Sequence, residues 1–205
     1  MNLSSLKSDL ESKLQKRSVS SGALLNSFRM IDEGSRKSPA YQDPIYYPFY
    51  FYLGQFLKPK TLLEIGFNLG LTSCCFFKSC NTVENFLAFQ HKTEEFYSLR
   101  IPKSNLKDVY SQKSDFYIGN FNDIDFYKKI ESSSWDLIFV NDIYDHDKMK
   151  YVLDMLWNNL SEDGYIVVDR FGDDVIKSSI ENFSKVKNRE HIVLKTRYLT
   201  GVIQK

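Results

Sequence analysis

Cysteine is scarce in this chain: three in 205 residues, Cys74, Cys75 and Cys80, odd in number and confined to one short segment. That excludes a disulfide framework and suits reduced thiols. The cysteine spacing matches no zinc pattern, so the segment reads as a buried helix rather than a metal site. Charge of one sign is also missing, since 27 Lys and Arg face 26 Asp and Glu for a net charge of +1. A strongly electrostatic nucleic-acid or membrane partner is therefore not expected. No apolar run approaches the roughly 20 residues of a membrane span. The start, Met-Asn-Leu-Ser-Ser-Leu-Lys, lacks a signal-peptide core. Neither G-x-G-x-x-G nor G-x-x-x-x-G-K-[ST] occurs, which sets aside the common dinucleotide and nucleotide-triphosphate loops. Internal repeats and low-complexity segments are absent as well. A cytoplasmic protein without membrane segments is the expectation.

What is present begins at Thr61-Leu-Leu-Glu-Ile-Gly-Phe-Asn-Leu-Gly-Leu-Thr72. An apolar strand runs into Glu64, two glycines follow four residues apart, and a helix-compatible stretch begins. A strand ending at Ile65 delivers its C-terminal edge to the crevice where open α/β sheets bind ligands. Gly66 permits a sharp turn and a close approach of backbone to ligand. Gly70 permits close packing where the next helix starts. The loop suits a small polar ligand without a pyrophosphate.

Short apolar runs at 61–65, 85–89, 116–118, 135–140 and 165–168 alternate with helix-length segments at 71–79, 92–100, 122–131 and 147–160. Such alternation predicts a parallel sheet covered on both faces. Met149, Val152, Leu153, Leu156 and Leu160 mark the buried stripe of the fourth helix. Ser161-Glu-Asp-Gly164 should end it, with glycine as the turn residue. Asp145 or Asp147 is expected to cap that helix, with Asp147 preferred, and Asp173-Asp174 to start another. Strands near 191–196 and 199–204, joined by a short turn, should pair antiparallel.

The first 60 residues differ in character. Residues 2–17 read as a polar amphipathic helix. Residues 35–52 carry Pro39, Pro44 and Pro48 among seven Tyr and Phe, and the prolines should interrupt any helix before about residue 49. This aromatic segment is expected to pack over the sheet. Its functional alternative is a lid over a cofactor or substrate.

Three blocks in order, Leu62-Leu-Glu-Ile-Gly-Phe-Asn-Leu-Gly-Leu-Thr-Ser73, Trp135-Asp-Leu-Ile-Phe-Val-Asn-Asp142 and Leu160-Ser-Glu-Asp-Gly-Tyr-Ile-Val-Val-Asp169, resemble the class I S-adenosylmethionine-dependent methyltransferases. The likeness is to their small O-methyltransferase branch and covers roughly residues 46–205. It implies an α/β, Rossmann-like, seven-stranded and mostly parallel sheet with the last strand antiparallel and helices on both faces. Residues 1–45 then form a helical and aromatic extension before a methyltransferase-like domain over 46–205.

The resemblance implies S-adenosylmethionine as cofactor, with Glu64, Gly66 and Gly70 against its methionine part, Phe67 and Asn68 among the residues that bind it, and Thr72 and Ser73 near its carboxylate. Gln90 would face the ribose, Asn120 and Phe121 would border the adenine, and Asn141 would lie near the methyl. Methyl transfer needs alignment and, where the acceptor is protic, a base. Asp142 and His146, in the acid-rich Asn141–Asp147 stretch, are the candidates. No metal is expected: where divalent-cation-dependent relatives place acids and an amide, this chain has Asn141, Asp169 and Arg170, and one acid beside an arginine is poor ligation for a hard cation.

The expected function is methyl transfer to a small-molecule oxygen or nitrogen acceptor. Gln90, Asn120 and Asn141 stand where acids are common, which motivates the alternative of a methyltransferase-like binding or assembly protein without turnover. Nucleic acid is not an expected partner. Lys185, Lys187, Arg189, Lys195 and Arg197 make only a modest patch. The sequence leaves oligomeric state open, a homodimer included.

Overall fold

The computed structural model describes residues 1–26, 28, 39–91, 100–120, 123–141, 143 and 145–205. The element order is α1 (Leu3–Lys16), α2 (Ser21–Leu25), α3 (Pro39–Gln42), α4 (Tyr46–Phe56), β1 (Thr61–Ile65), α5 (Leu71–Phe77), β2 (Asn85–His91), α6 (Arg100–Lys107), β3 (Lys113–Gly119), α7 (Ile124–Glu131), β4 (Trp135–Val140), α8 (His146–Asn159), β5 (Leu160–Val168), α9 (Asp174–Lys187), β6 (His191–Leu194) and β7 (Thr200–Gln204). The strands form one sheet in the order β3-β2-β1-β4-β5-β7-β6. β3, β2, β1, β4 and β5 run parallel. β7 is antiparallel to both β5 and β6. The predicted mostly parallel seven-stranded sheet is the one observed among the described residues.

Alternation along the strands splits the core in two. Leu62, Phe86, Ala88, Leu137, Phe139, Val167 and Val202 face one side, where α1, α4 and α5 pack. Leu63, Ile65, Phe89, Ile138, Val140, Ile166 and Ile203 face the other, under α7, α8 and α9. Because successive side chains in a strand point to opposite faces, apolar residues on both sides need helices on both sides. On the first side, Phe139 takes the ring edges of Tyr50 of α4 and Phe76 of α5 at 5.3 and 5.5 Å. Edge-to-face pairs contribute about 0.5–1.5 kcal/mol beyond their buried area. They fix the N-terminal end of α4 beside the carboxyl ends of the strands. Leu3, Leu6, Leu10 and Leu14 of α1 are buried in the same cluster.

One proline expectation is corrected. α4 begins at Tyr46 and holds Pro48 in its first turn. The first four helical N–H groups have no intrahelical acceptor, so proline there costs no ladder bond. Pro102 sits likewise in the first turn of α6, a helix the sequence reading did not place. Most of the helix predicted over 92–100 lies outside the described residues.

Two smaller corrections concern α8. Its cap is Asp145, whose carboxylate accepts from Lys148 N at 2.9 Å, rather than Asp147. After α8, the left-handed residue is Asp163 (φ 63°), not Gly164. Gly164 serves close approach instead, since a Cβ there would lie 2.8 Å from the Ser161 carbonyl. Asp173 caps α9 as expected, accepting from Val175 N at 2.9 Å.

At the opposite end of the sheet, Asp136 clamps β1, β4 and β5. It accepts from Lys60 N at 2.7 Å, Thr61 N at 3.1 Å and Ser161 Oγ at 2.7 Å. Asp136→Ala leaves these donors without their acceptor and should cost about 1–3 kcal/mol. A fall in the urea midpoint at unchanged m reads it out.

Candidate active site

The strand ladder continues one residue past the strands and so fixes the floor of a cleft. Gly66 N donates to Phe89 O at 2.9 Å, Asn141 N to Ile65 O at 2.9 Å and Asp169 N to Val140 O at 3.0 Å. The residues leaving β1, β4 and β5 are thereby set side by side at the sheet's carboxyl edge, the ligand-binding edge of open α/β sheets.

The β1–α5 loop follows from its backbone. Gly66 (φ 84°), Asn68 (φ 47°) and Gly70 (φ 72°) occupy the left-handed region, open to glycine and tolerated by asparagine. Gly70 N donates to Phe67 O at 2.7 Å. Asn68 Nδ2 donates to Gly66 O at 3.2 Å, and the buried Asn105 of α6 donates to Leu69 O at 3.1 Å. The Phe67 ring turns away from the cleft into the core, 5.7 Å from Phe86 and 5.5 Å from Phe116.

Glu64 lies beneath this loop, fully buried. Its carboxyl accepts from Ser73 Oγ and, at 2.7 Å, from Asn141 Nδ2. Burial pushes its pKa up to about 8, against the pull of those two donors. Asn141 Oδ1 is buried and has no hydrogen-bond partner among the described residues. Ser73, expected near a ligand carboxylate, points inward at Glu64 and has no exposed surface.

The facing wall comes from α3, α4 and the ends of β5 and β7. Asp169 is 7 % exposed. Its carboxylate accepts from Tyr46 Oη at 2.8 Å and from Arg170 N at 2.8 Å. Burial raises the Asp169 pKa, and Tyr46, the Arg170 N–H and the Arg170 charge draw it back. Burial also holds the Tyr46 phenol well above its ordinary range, with Tyr50 and Asp169 adding to it. The Arg170 guanidinium lies 5.1 Å from the Tyr198 ring centre.

Between loop and wall lies a cleft of about 210 Å3, lined on one side by Gly66, Phe67, Asn68, Leu69, Leu71 and Thr72 and on the other by Ala40, Tyr46, Tyr47, Asn141, Asp169, Arg170 and Tyr198. A whole small-molecule site is usually roughly 300–1,000 Å3, so this volume suits the reacting end of a ligand.

Of the residues singled out from sequence, Gly66, Phe67, Asn68, Thr72 and Asn141 meet at the cleft. Gly70 shapes its loop and Glu64 supports its floor. Gln90 stands behind the loop, buried, with Oε1 accepting from Asn68 N at 2.6 Å. Asn120 is exposed at the end of β3, its N–H donating to Asp123 Oδ2 at 2.8 Å. His146 is exposed at the start of α8, Nδ1 3.4 Å from Asp147 Oδ1, and does not line the cleft. Phe121 and Asp142 lie outside the described residues. Absent from the sequence-based site were Asp169, Arg170, Tyr46, Tyr47 and Tyr198. Asp169 directly follows the apolar run Tyr165–Val168, a position the carboxyl-end rule marks. Tyr198 carries no local signal.

No protein-family model matches the chain, and no curated protein matches it in sequence. Solved structures do resemble it. The methyltransferase PaMTH1 of Podospora anserina, bound to SAH, superposes with a TM-score of 0.67 at 13% identity, over 99% of this chain and 96% of that one. The O-methyltransferase TomG of Streptomyces achromogenes, involved in tomaymycin synthesis and solved with SAM, gives 0.61 at 14% identity over 98% and 95%. An O-methyltransferase of Bacillus cereus in complex with SAH gives 0.61 at 15% identity over 97% and 91%. The chain thus shares its fold with these methyltransferases.

Proposed function

We propose that the chain is an S-adenosylmethionine-dependent methyltransferase acting on a small-molecule oxygen or nitrogen acceptor. The observation that carries this reading is the floor of the cleft. Asn141 Oδ1 is a buried acceptor without a partner among the described residues, and it sits over the buried carboxyl of Glu64 and beside the Gly66–Gly70 loop. A buried orphan acceptor is costly unless a ligand donor satisfies it. The ammonium of an amino-acid moiety is such a donor, and the carboxyl of Glu64 beneath Asn141 favours a ligand that is cationic there.

The residues present fit the cofactor. When bound it supplies an electrophilic methyl on sulfur. Asn141 and the loop backbone hold its amino-acid end, with Thr72 beside them. Glu64 fixes the Asn141 amide by accepting from its Nδ2. Gln90 braces the loop through Asn68. Tyr46, Tyr47 and Tyr198 exclude water from the reacting end. Asp142 and His146, near the β4–α8 connection, are the sequence-based candidates for proton removal. A cytoplasmic location is part of the same reading. Among the described residues no helix is long and apolar enough to cross a membrane.

The Gln90 geometry favours a second reading, a binding or assembly protein of this fold without turnover. Its one acceptor oxygen already takes the Asn68 amide. Calorimetric titration with S-adenosylmethionine and S-adenosylhomocysteine separates the two. Micromolar binding is expected, and Gly66→Arg should abolish it because a bulky side chain at φ 84° strains the loop and fills the cleft. Circular dichroism checks that the variant folds. Absence of heat at millimolar ligand would put the binding-module reading first.

A further inference from the structure

The cofactor reading leaves one polar pair in the cleft unused. Asp169 and Tyr46 come from the end of β5 and the start of α4 and meet at 2.8 Å. Both line the cleft opposite the Gly66–Thr72 loop. We propose that Asp169 is the carboxylate that takes the proton of the methyl acceptor, and that Tyr46 is the positioning residue that holds it toward the cleft. This rests on the methyltransferase reading.

Tyr46 is itself locked. Its ring meets Tyr47, Tyr50 and Tyr198 edge-on at 5.0, 5.6 and 6.0 Å. A hydroxyl on so fixed a ring aims its one hydrogen along a set line, and that line ends on Asp169. The carboxylate accepts one bond on each oxygen, from Tyr46 and from Arg170 N. An ionised carboxylate has about four acceptor sites, so it keeps room for an acceptor O–H or N–H. The charged and titratable groups around it are Tyr46, Tyr47 and Tyr50 of α4, Arg170 on its own strand end, Tyr198 beside Arg170, and Glu64, which also bears on Tyr47 and Tyr50. Burial raises its proton affinity above that of an exposed aspartate, the direction a base requires. His146, by contrast, is exposed outside the cleft.

The step balances without a further reactant. The acceptor's O–H or N–H bond breaks and its proton passes to an Asp169 oxygen. The electron pair left on the acceptor forms the new bond to the methyl carbon. The carbon–sulfur pair stays on sulfur, which leaves as a neutral thioether.

The experiment uses 4-nitrophenol, which is coloured only as the phenolate. The full-length protein is saturated with S-adenosylhomocysteine, with saturation verified by calorimetry, at a pH where the free probe is mostly neutral. Wild type should give a saturable phenolate band. Asp169→Asn should give none while binding S-adenosylhomocysteine within about threefold of wild type. Tyr46→Phe should keep the band but bind the probe roughly tenfold more weakly, the worth of a hydrogen bond to a charged group. A wild type that binds S-adenosylhomocysteine but shows no saturable band overturns the proposal. So does an undiminished band in Asp169→Asn. A wild type that fails to bind S-adenosylhomocysteine removes the methyltransferase reading itself, and that result is in hand before any probe is added.

Discussion

Gly70→Ala should destabilise the protein by about 2–5 kcal/mol and weaken S-adenosylhomocysteine binding more than tenfold. Two costs add. The first is backbone: Gly70 sits at φ 72°, where a Cβ costs roughly 1–2 kcal/mol in an L residue. The second is space. A Cβ at this position would lie 2.6 Å from Cζ and 2.9 Å from Cε2 of Phe67. That ring is 2 % exposed and wedged against Phe86 and Phe116, so it cannot swing aside. Overpacking of this kind costs about 1–3 kcal/mol. Relief by shifting the backbone would disturb Asn68 and Leu69, which line the cleft. Asn68→Gly is the control. It also has a left-handed conformation, at φ 47°, but glycine is at ease there. It loses only the Nδ2 bond to Gly66 O and should stay within about 1 kcal/mol of wild type. Urea unfolding reads both variants. Equal losses would mean that the damage at position 70 does not come from the left-handed turn and Phe67.

The sheet was legible in the sequence because each of its strands is a short apolar run bounded by polar or glycine residues. The runs 61–65, 85–89, 135–140 and 165–168 all lie within observed strands. β3 was read only as 116–118, because its first residues, Lys113, Ser114 and Asp115, are polar and lie at the sheet edge, where burial does not impose an apolar pattern. The start of α4 was missed because proline was read as a breaker at any position; Pro48 occupies the first turn, where the missing N–H has no bond to lose.

The site was half legible, for a related reason. The glycine loop announces itself locally. Its partners across the cleft do not: Tyr46 and Asp169 are 123 residues apart. What joins them is the docking of α4 on Phe139 and the register of β4 with β5, both tertiary facts. Gln90 shows the converse. The strand-end position pointed to a ligand contact, yet its carbonyl takes Asn68 N–H, a bond that depends on the loop conformation.

The wild-type protein should lose stability as pH rises from about 5 to 8, by on the order of a few kcal/mol, and Glu64→Gln should flatten that slope. Glu64 is buried without a cationic partner among the described residues, and its carboxyl has its pKa pushed up to about 8. In the unfolded chain it titrates near the ordinary value of about 4.3. Below that value both states are protonated, and the contribution is fully present. Between the two values the native state holds a proton that the unfolded state has released, so each rise in pH favours unfolding. Above about 8 the contribution is gone. Asp169, also raised by burial, acts with the same sign and should account for the slope that remains in Glu64→Gln. Glutamine keeps one acceptor oxygen, enough for Ser73 Oγ or Asn141 Nδ2 but not both, and has no proton to lose. Ser73→Ala should steepen the slope, since the Ser73 hydrogen bond favours the charged form and partly offsets burial. Thermal midpoints across that pH range measure all three proteins. A wild-type slope no steeper than that of Glu64→Gln would mean that Glu64 is already ionised in the folded protein. The cleft floor would then carry a fixed negative charge under Asn141, and a cationic ligand would bind there without releasing a proton.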